Sequence, residues 1–141
     1  MKGIVIVCHG DLADGFASAV GMILGEGENL KTVSVDVAQE PETVQEVVHE
    51  AVQEVDEGNG VLILTDLFGG TPTNVCLPML DPGRIEIITG INLPLILKAV
   101  KERDKYPIED LKKRLVESAI KNIQDPSDVL NLGKAAPAKK D

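Results

Sequence analysis

At 141 residues with a formal net charge of −9, the chain has the size of one domain and the wrong sign for a nucleic-acid partner, because affinity for phosphate backbones comes largely from Lys and Arg contacts. With no Trp, one Tyr and two Phe, its core must be built from Val, Ile, Leu and Ala. Cys8 and Cys76 lie far apart without a CxxC spacing, and no stretch reads as a signal peptide or a membrane span, so a cytoplasmic protein with reduced thiols is expected.

The chain alternates strand and helix. GIVIVC (3–8) is a continuous apolar run, the pattern of a parallel strand covered on both faces. It exits into HGD, and a helix follows over 11–24. After GEGEN, LKTVSVD (30–36) reads as a second strand. The clearest helix is 41–58, with Val44, Val47, Val48, Ala51, Val52 and Val55 at helical spacing, Pro41 opening it and Gly58 closing it.

GVLILTD (60–66) is another fully apolar strand, LFGGT a glycine-rich turn, and 72–80 a short helix begun by Pro72. RIEIITG (84–90) is a fourth strand, the loop INLP leads into a helix running to about Asp104, and 108–124 is a last helix with Ile108, Leu111, Leu115, Ala119 and Ile123 on one face. Of the tail, DVLNL (128–132) could form a short edge strand, whereas GKAAPAKKD (133–141) has a linker's composition. The organisation expected is one domain over 1–125 and a tail over 126–141.

Strands separated by helices predict an α/β fold: a doubly wound, mainly parallel sheet with helices on both faces. In the flavodoxin-like strand order 2-1-3-4 the ligand crevice lies outside the carboxyl ends of the first and third strands, where the order reverses. Those ends carry His9 and Asp66. Topology alone therefore makes them neighbours, with the TGINLP loop near the same crevice. The period of two along a strand sends Cys8 and His9 to opposite faces, which argues against a Cys–His nucleophile pair.

A carboxylate that accepts a hydrogen bond from one ring nitrogen fixes the tautomer and leaves the other nitrogen a free lone pair. Such a histidine can accept a phosphoryl group. The surroundings suit an anion, since HGD and FGGT each precede a helix, Gly69 and Gly70 allow close backbone approach, and Thr71 offers a hydroxyl. No P-loop GxxxxGK[ST] is present, so a nucleotide donor is not expected, whereas transfer from another phosphohistidine needs neither metal nor cofactor.

Structural readings stand beside these. Asp66 could cap the FGGT turn, Thr71 could cap the helix begun by Pro72, and Asn74 and Asn92 are common turn and cap residues. Cys76 reads as core and His49 as a solvated helix residue. A His9–Asp66–Cys76 metal site lacks a second histidine, and no metal is expected.

The succession IVIVCHG, TDLFGGTPTN and TGINLP, in this order and spacing, resembles the mannose-family enzyme IIA of the bacterial phosphoenolpyruvate-dependent sugar phosphotransferase system (PTS) over about residues 1–125. The resemblance implies a flavodoxin-like fold, commonly a homodimer, with the C-terminal edge strand exchanged between subunits in some members. It implies a phosphotransferase in which His9 takes phosphate from HPr and passes it to a IIB component. Asp66 matches the aspartate that orients the histidine, and Thr71 stands where Ser is common and contacts the phosphoryl group.

It further implies that Gly10, Phe68, Gly69, Gly70 and Asn92 line the binding site. Phe68 stands where some members have Trp, and Asn92 and Pro94 match an N-x-P loop. The tail ends without a fused IIB, so IIB is expected on a separate chain, with any association with membrane components IIC and IID passing through it and no direct membrane insertion. Two other readings share the same residues: a regulatory phosphoprotein that reports phosphoenolpyruvate supply without sugar transport, and the phosphotransfer subunit of dihydroxyacetone kinase. Asp11 and Asp14, beside the crevice, are candidates for steering a basic partner face.

Overall fold

The computed structural model describes residues 1–25 and 27–132, and in them each apolar run becomes a strand of one parallel sheet. The elements in chain order are β1 (Gly3–His9), α1 (Leu12–Leu24), β2 (Leu30–Val35), α2 (Pro41–Val55), β3 (Val61–Thr65), α3 (Thr71–Cys76) followed by a 3₁₀ turn (Leu77–Met79), β4 (Ile85–Ile88), α4 (Leu93–Glu102), α5 (Ile108–Lys121) and a short α6 (Pro126–Val129). The sheet order is β2-β1-β3-β4, all parallel. This is the doubly wound arrangement expected from the sequence.

The central strands read as continuous apolar runs because both their faces are covered. Ile4, Ile6, Cys8, Leu62 and Leu64 pack under α1, α4 and α5 through Val20, Leu95, Ile96, Leu111 and Leu115. Val5, Val7, Val61 and Ile63 pack on the opposite face under α2 and α3 through Val44, Val48, Val52, Val55 and Val75. Full burial of such a side chain is worth about 1.5–3 kcal/mol, and the two layers together supply the driving force that the scarce aromatics do not. Cys8 lies in the first layer and Cys76 in the second.

The sheet's register aims its chemistry at one end. Ile6 pairs with Leu64 and Val7 with Thr65, so β1 and β3 finish together and release His9 and Asp66 side by side. At the other end, Arg103 follows α4 and is almost fully buried, donating to the carbonyls of Lys2, Asn29 and Glu28. That guanidinium ties the starts of β1 and β2 together, far from the crevice.

Three expectations need correction. Residues 128–132 are not an edge strand: Pro126–Val129 is a helical turn, opened by the Asp125 side chain accepting from the Ser127 amide at 2.9 Å, and β4 remains a sheet edge among the described residues. Proline in the first turn and an aspartate before it are helix-start chemistry, which overrides the β-propensity of Val and Leu. Val47 is exposed because it sits off the buried stripe of α2, and Ile123 is exposed because α5 ends at Lys121. The expectation of a linker over 133–141 lies outside the described residues.

Candidate functional site

His9 is the last residue of β1, on the same side of the strand as Val5 and Val7, and Cys8 points the other way. The β1 run ends there because Gly10 turns the chain at φ +55°, a left-handed conformation that glycine adopts freely, while its amide still bonds the Val35 carbonyl at 2.9 Å. Asp66 follows β3 directly. Its Oδ2 accepts from the His9 ring, Nδ1 to Oδ2 2.9 Å, and from the His9 backbone N–H at 3.0 Å.

A carboxylate only accepts, so this contact places a proton on Nδ1 and leaves Nε2 as the ring's free nitrogen. The His9 side chain is 37% exposed and that of Asp66 13%. The pair is thus sheltered on the carboxylate side and open on the ring side. Asp66 Oδ1 is buried without a hydrogen-bond partner among the described residues.

Gly70 stands against the open side of the ring. A methyl group added to its Cα would come within 2.9 Å of His9 Cε1 and 3.3 Å of Nε2. Only a residue without a Cβ lets the loop before α3 approach Nε2 this closely. Gly70 occupies the N-cap position of α3, and Thr71 is the first helical residue, which corrects the reading of Thr71 as the cap. Among the described residues the Thr71 hydroxyl has no hydrogen-bond partner. Gly69 lies exposed in the loop between Phe68 and Gly70.

Phe68 is 74% exposed on the rim, and Leu67 beside it is exposed as well. On the other side of the ring, a groove of about 450 Å³ runs from His9, Gly10 and Asp11 to Asp36, Val37 and Gln39. Asp11 is exposed there, and Asp14, one turn along α1, accepts from the Thr32 hydroxyl at 2.7 Å.

Asn92, expected as a binding residue, has a part in the scaffold. Its Oδ1 accepts from the Leu95 amide at 3.0 Å to cap α4, and its Nδ2 donates to the Ala119 carbonyl of α5 at 3.1 Å. Both groups of the amide are thereby engaged. His49 is exposed on α2, as read from the sequence.

The two thiols stay out of the chemistry. Burial, and then the Asp66 charge, pushes the Cys8 thiol up to about 12, and burial alone pushes Cys76 to about 12. Both are therefore protonated at neutral pH, and the thiol is a poor nucleophile compared with the thiolate. Two residues near the crevice were not singled out from sequence, Thr65 and Thr73, whose buried hydroxyls lie 2.7 Å apart beneath the Asp66 loop.

With this geometry in place, the comparisons with known proteins agree with one another. The family model described as PTS system fructose IIA component matches residues 3–116. The chain is 32% identical over 137 residues to the PTS system fructose-specific EIIA component of Bacillus subtilis, covering 96% of this chain and 94% of that protein. It is 32% identical over 139 residues to the PTS system mannose-specific EIIAB component of Escherichia coli, of which it spans 42%. Among solved structures, that of phosphotransferase system component EIIA from Streptococcus agalactiae superposes with a TM-score of 0.82 at 29% identity, covering 91% of this chain and 99% of that one. No helix among the described residues is long and apolar enough to cross a membrane.

Proposed function

The chain belongs to the fructose- and mannose-type IIA components of the PTS, and from that membership we propose that its His9 is a phosphoryl carrier between HPr and a IIB component. The observation that carries the reading is the orientation of one ring. Nδ1 is tied to Asp66 at 2.9 Å while Nε2 faces the Gly70 backbone and the open crevice.

The step follows from that orientation. Nε2 presents its lone pair to the phosphorus of phospho-HPr, a new P–Nε2 bond forms, and the donor's P–N bond breaks with its electron pair returning to the donor imidazole. Positive charge develops on the His9 ring, and the Asp66 carboxylate at Nδ1 stabilises it. Amides in the first turn of a helix lack intrahelical acceptors. At the start of α3 they stand beside the Thr71 hydroxyl, and together these groups take the phosphoryl oxygens. Transfer to IIB runs the same chemistry in reverse with a new acceptor.

Neither the HGD nor the FGGT loop contains Lys or Arg, so the partner has to contribute whatever cationic side chain neutralises the phosphoryl group in transit. The exposed rims on either side of His9, Phe68 and Leu67 on one and Asp11 on the other, are where such a partner would dock. The same reading makes the protein a cytoplasmic homodimer whose IIB component links it to IIC and IID. What its own site handles is the phosphoryl group, not the sugar.

The test is phosphorylation by phosphoenolpyruvate, enzyme I and HPr, read as intact mass under mildly alkaline conditions. One acid-labile phosphate on the unaltered protein and none on His9→Ala is the expected result. An unphosphorylated protein beside an active HPr would overturn the carrier role.

A further inference from the structure

Beneath the loop that carries Asp66 lies a set of hydroxyls that the phosphoryl step does not use. Thr65 ends β3 fully buried, and Thr73, in the first turn of α3, is 1% exposed. Their Oγ1 atoms are 2.7 Å apart. Thr73 Oγ1 donates to the Leu67 carbonyl at 2.7 Å, and the Thr89 hydroxyl lies 3.4 Å from it.

Proton counting gives the set a direction. A threonine hydroxyl has one hydrogen and two lone pairs. Since Thr73 gives its hydrogen to Leu67, Thr65 has to donate to Thr73, and Thr89 can fill the second lone pair. The chain of bonds thus runs from the end of β3 through α3 and back onto the loop between them. Chains of this kind are strengthened by polarisation and by a dry environment.

The loop needs such an anchor because, among the described residues, His9 alone grips the carboxylate. Asp66 Oδ2 receives both of its hydrogen bonds from His9, and Oδ1 is buried with none. The carboxylate's position therefore depends on the His9 amide on one side and on its own backbone on the other. Leu67, the next residue, is held from below by Thr73.

We propose that Thr73 is a positioning residue for the His9–Asp66 pair, its hydroxyl fixing the Leu67 carbonyl and through it the place of the Asp66 carboxylate. The inference rests on the phosphocarrier reading for its consequence, though not for its geometry. Thr73→Val keeps the shape, removes the hydrogen, and leaves the Leu67 carbonyl and the Thr65 hydroxyl short of a partner. Displacing a catalytic group by a fraction of an ångström to an ångström costs roughly ten- to a hundredfold in rate.

The experiment compares the unaltered protein, Thr73→Val and Thr73→Ser by ¹⁵N NMR of the His9 ring and by the rate of phosphorylation from phospho-HPr. The ring spectrum reports the Nδ1-protonated tautomer and needs no phosphoryl donor. Thr73→Val is expected to lose the single-tautomer pattern and to accept phosphate roughly ten- to a hundredfold more slowly, and Thr73→Ser to restore both. A Thr73→Val protein with an unaltered ring spectrum overturns the proposal, whatever its melting temperature, because the hydroxyl would then serve only the fold. An unaltered protein that takes no phosphate, with the ring spectrum still changed by Val and restored by Ser, overturns the carrier reading and supports the positioning role. Should Thr73→Val not fold, Thr73→Ala removes the same hydroxyl and its bond to the Leu67 carbonyl and is read for the same two outcomes.

Discussion

One carboxylate oxygen of Asp66 receives two hydrogen bonds from a single residue, the ring Nδ1 of His9 at 2.9 Å and its backbone N–H at 3.0 Å. The backbone bond places the carboxylate relative to β1, and the ring bond then sets the tautomer relative to the carboxylate. Asp66→Asn separates shape from charge. The amide oxygen can still accept from the ring, but it carries no charge to oppose the one that develops there. The rate of phosphorylation from phospho-HPr is expected to fall by up to roughly 10⁴-fold, the loss seen when a catalytic histidine has its orienting aspartate changed to asparagine. Rapid-quench kinetics read it, and a fall of less than threefold would leave Asp66 with a purely structural role.

Gly70→Ala tests the approach of α3 to Nε2. The backbone at Gly70 has φ −88° and ψ 169°, an extended conformation that alanine accepts, so the fold has no reason to suffer. The added methyl group would meet His9 at 2.9 and 3.3 Å. Contacts that short force the ring to turn away or leave Nε2 covered. Phosphate acceptance is expected to fall by roughly tenfold or more with thermal stability nearly unchanged. Equal losses in both would mean that the substitution disturbs the loop and not the ring.

Much of this was legible in the sequence, for identifiable reasons. β1 and β3 announce themselves as runs of Val, Ile and Leu because a parallel sheet buries both faces of its central strands. Strand order then brings His9 and Asp66 together without any contact being known. The hydroxyl set was not legible as a unit, because Thr65, Thr73 and Thr89 become neighbours only once α3 is known to lie on the face that Ile63 and Ile87 share. The period of two does place Thr65 and Thr89 on that face. Asn92 gave a weaker signal: an asparagine before Leu-Pro fits a helix cap as well as it fits a ligand, and the structure shows the cap. The tail carries two signals, the β-propensity of Val and Leu and the helix start of Asp125 and Pro126, and the structure follows the second.

Arg103 is expected to govern stability without touching the chemistry. Burial holds its guanidinium below the usual arginine range, and its partners are the carbonyls of Lys2, Asn29 and Glu28 at the closed end of the sheet. Arg103→Ala removes the charged donors and leaves buried carbonyl groups short of partners, a loss of about 2–4 kcal/mol. Denaturant unfolding measures it. Phosphorylation of the protein that remains folded should proceed at the unaltered rate, and a slowed rate would mean that the two ends of the sheet are coupled.

The thiols predict an alkaline limit to stability. A thiol whose proton is held more tightly in the folded state contributes fully below its unfolded value of 9.0, and that contribution is lost as pH rises from 9.0 toward about 12. In that window the unfolded chain has released protons that the native chain retains. Each thiol then contributes a slope of about −1.4 kcal/mol per pH unit. Cys8→Ala and Cys76→Ala should each flatten the decline of unfolding free energy between pH 9 and 10.5, whatever they cost at neutral pH. Parallel slopes in all three proteins would refute this account.

Phe68 tests the docking rim independently of the reactive ring. The residue is 74% exposed, an unusual place for one of only two phenylalanines in the chain, and it sits two residues before the glycine that faces Nε2. Aromatic side chains at the centre of an interface commonly contribute more than 1 kcal/mol to association, because they cover a large apolar area at little conformational cost. Nothing in the core depends on it. Phe68→Ala is therefore expected to raise the KM for phospho-HPr by roughly tenfold, equivalent to about 1.4 kcal/mol of association, while leaving kcat and melting temperature nearly unaltered. If kcat fell instead and KM held, Phe68 would act on the reacting groups and not on the partner, because an interaction made equally with bound donor and transition state appears in KM alone. If neither moved, HPr would have to approach from the opposite rim, across the groove between His9, Asp11 and Val37. Neutralising Asp11 would then be the substitution that slows association and weakens its salt dependence.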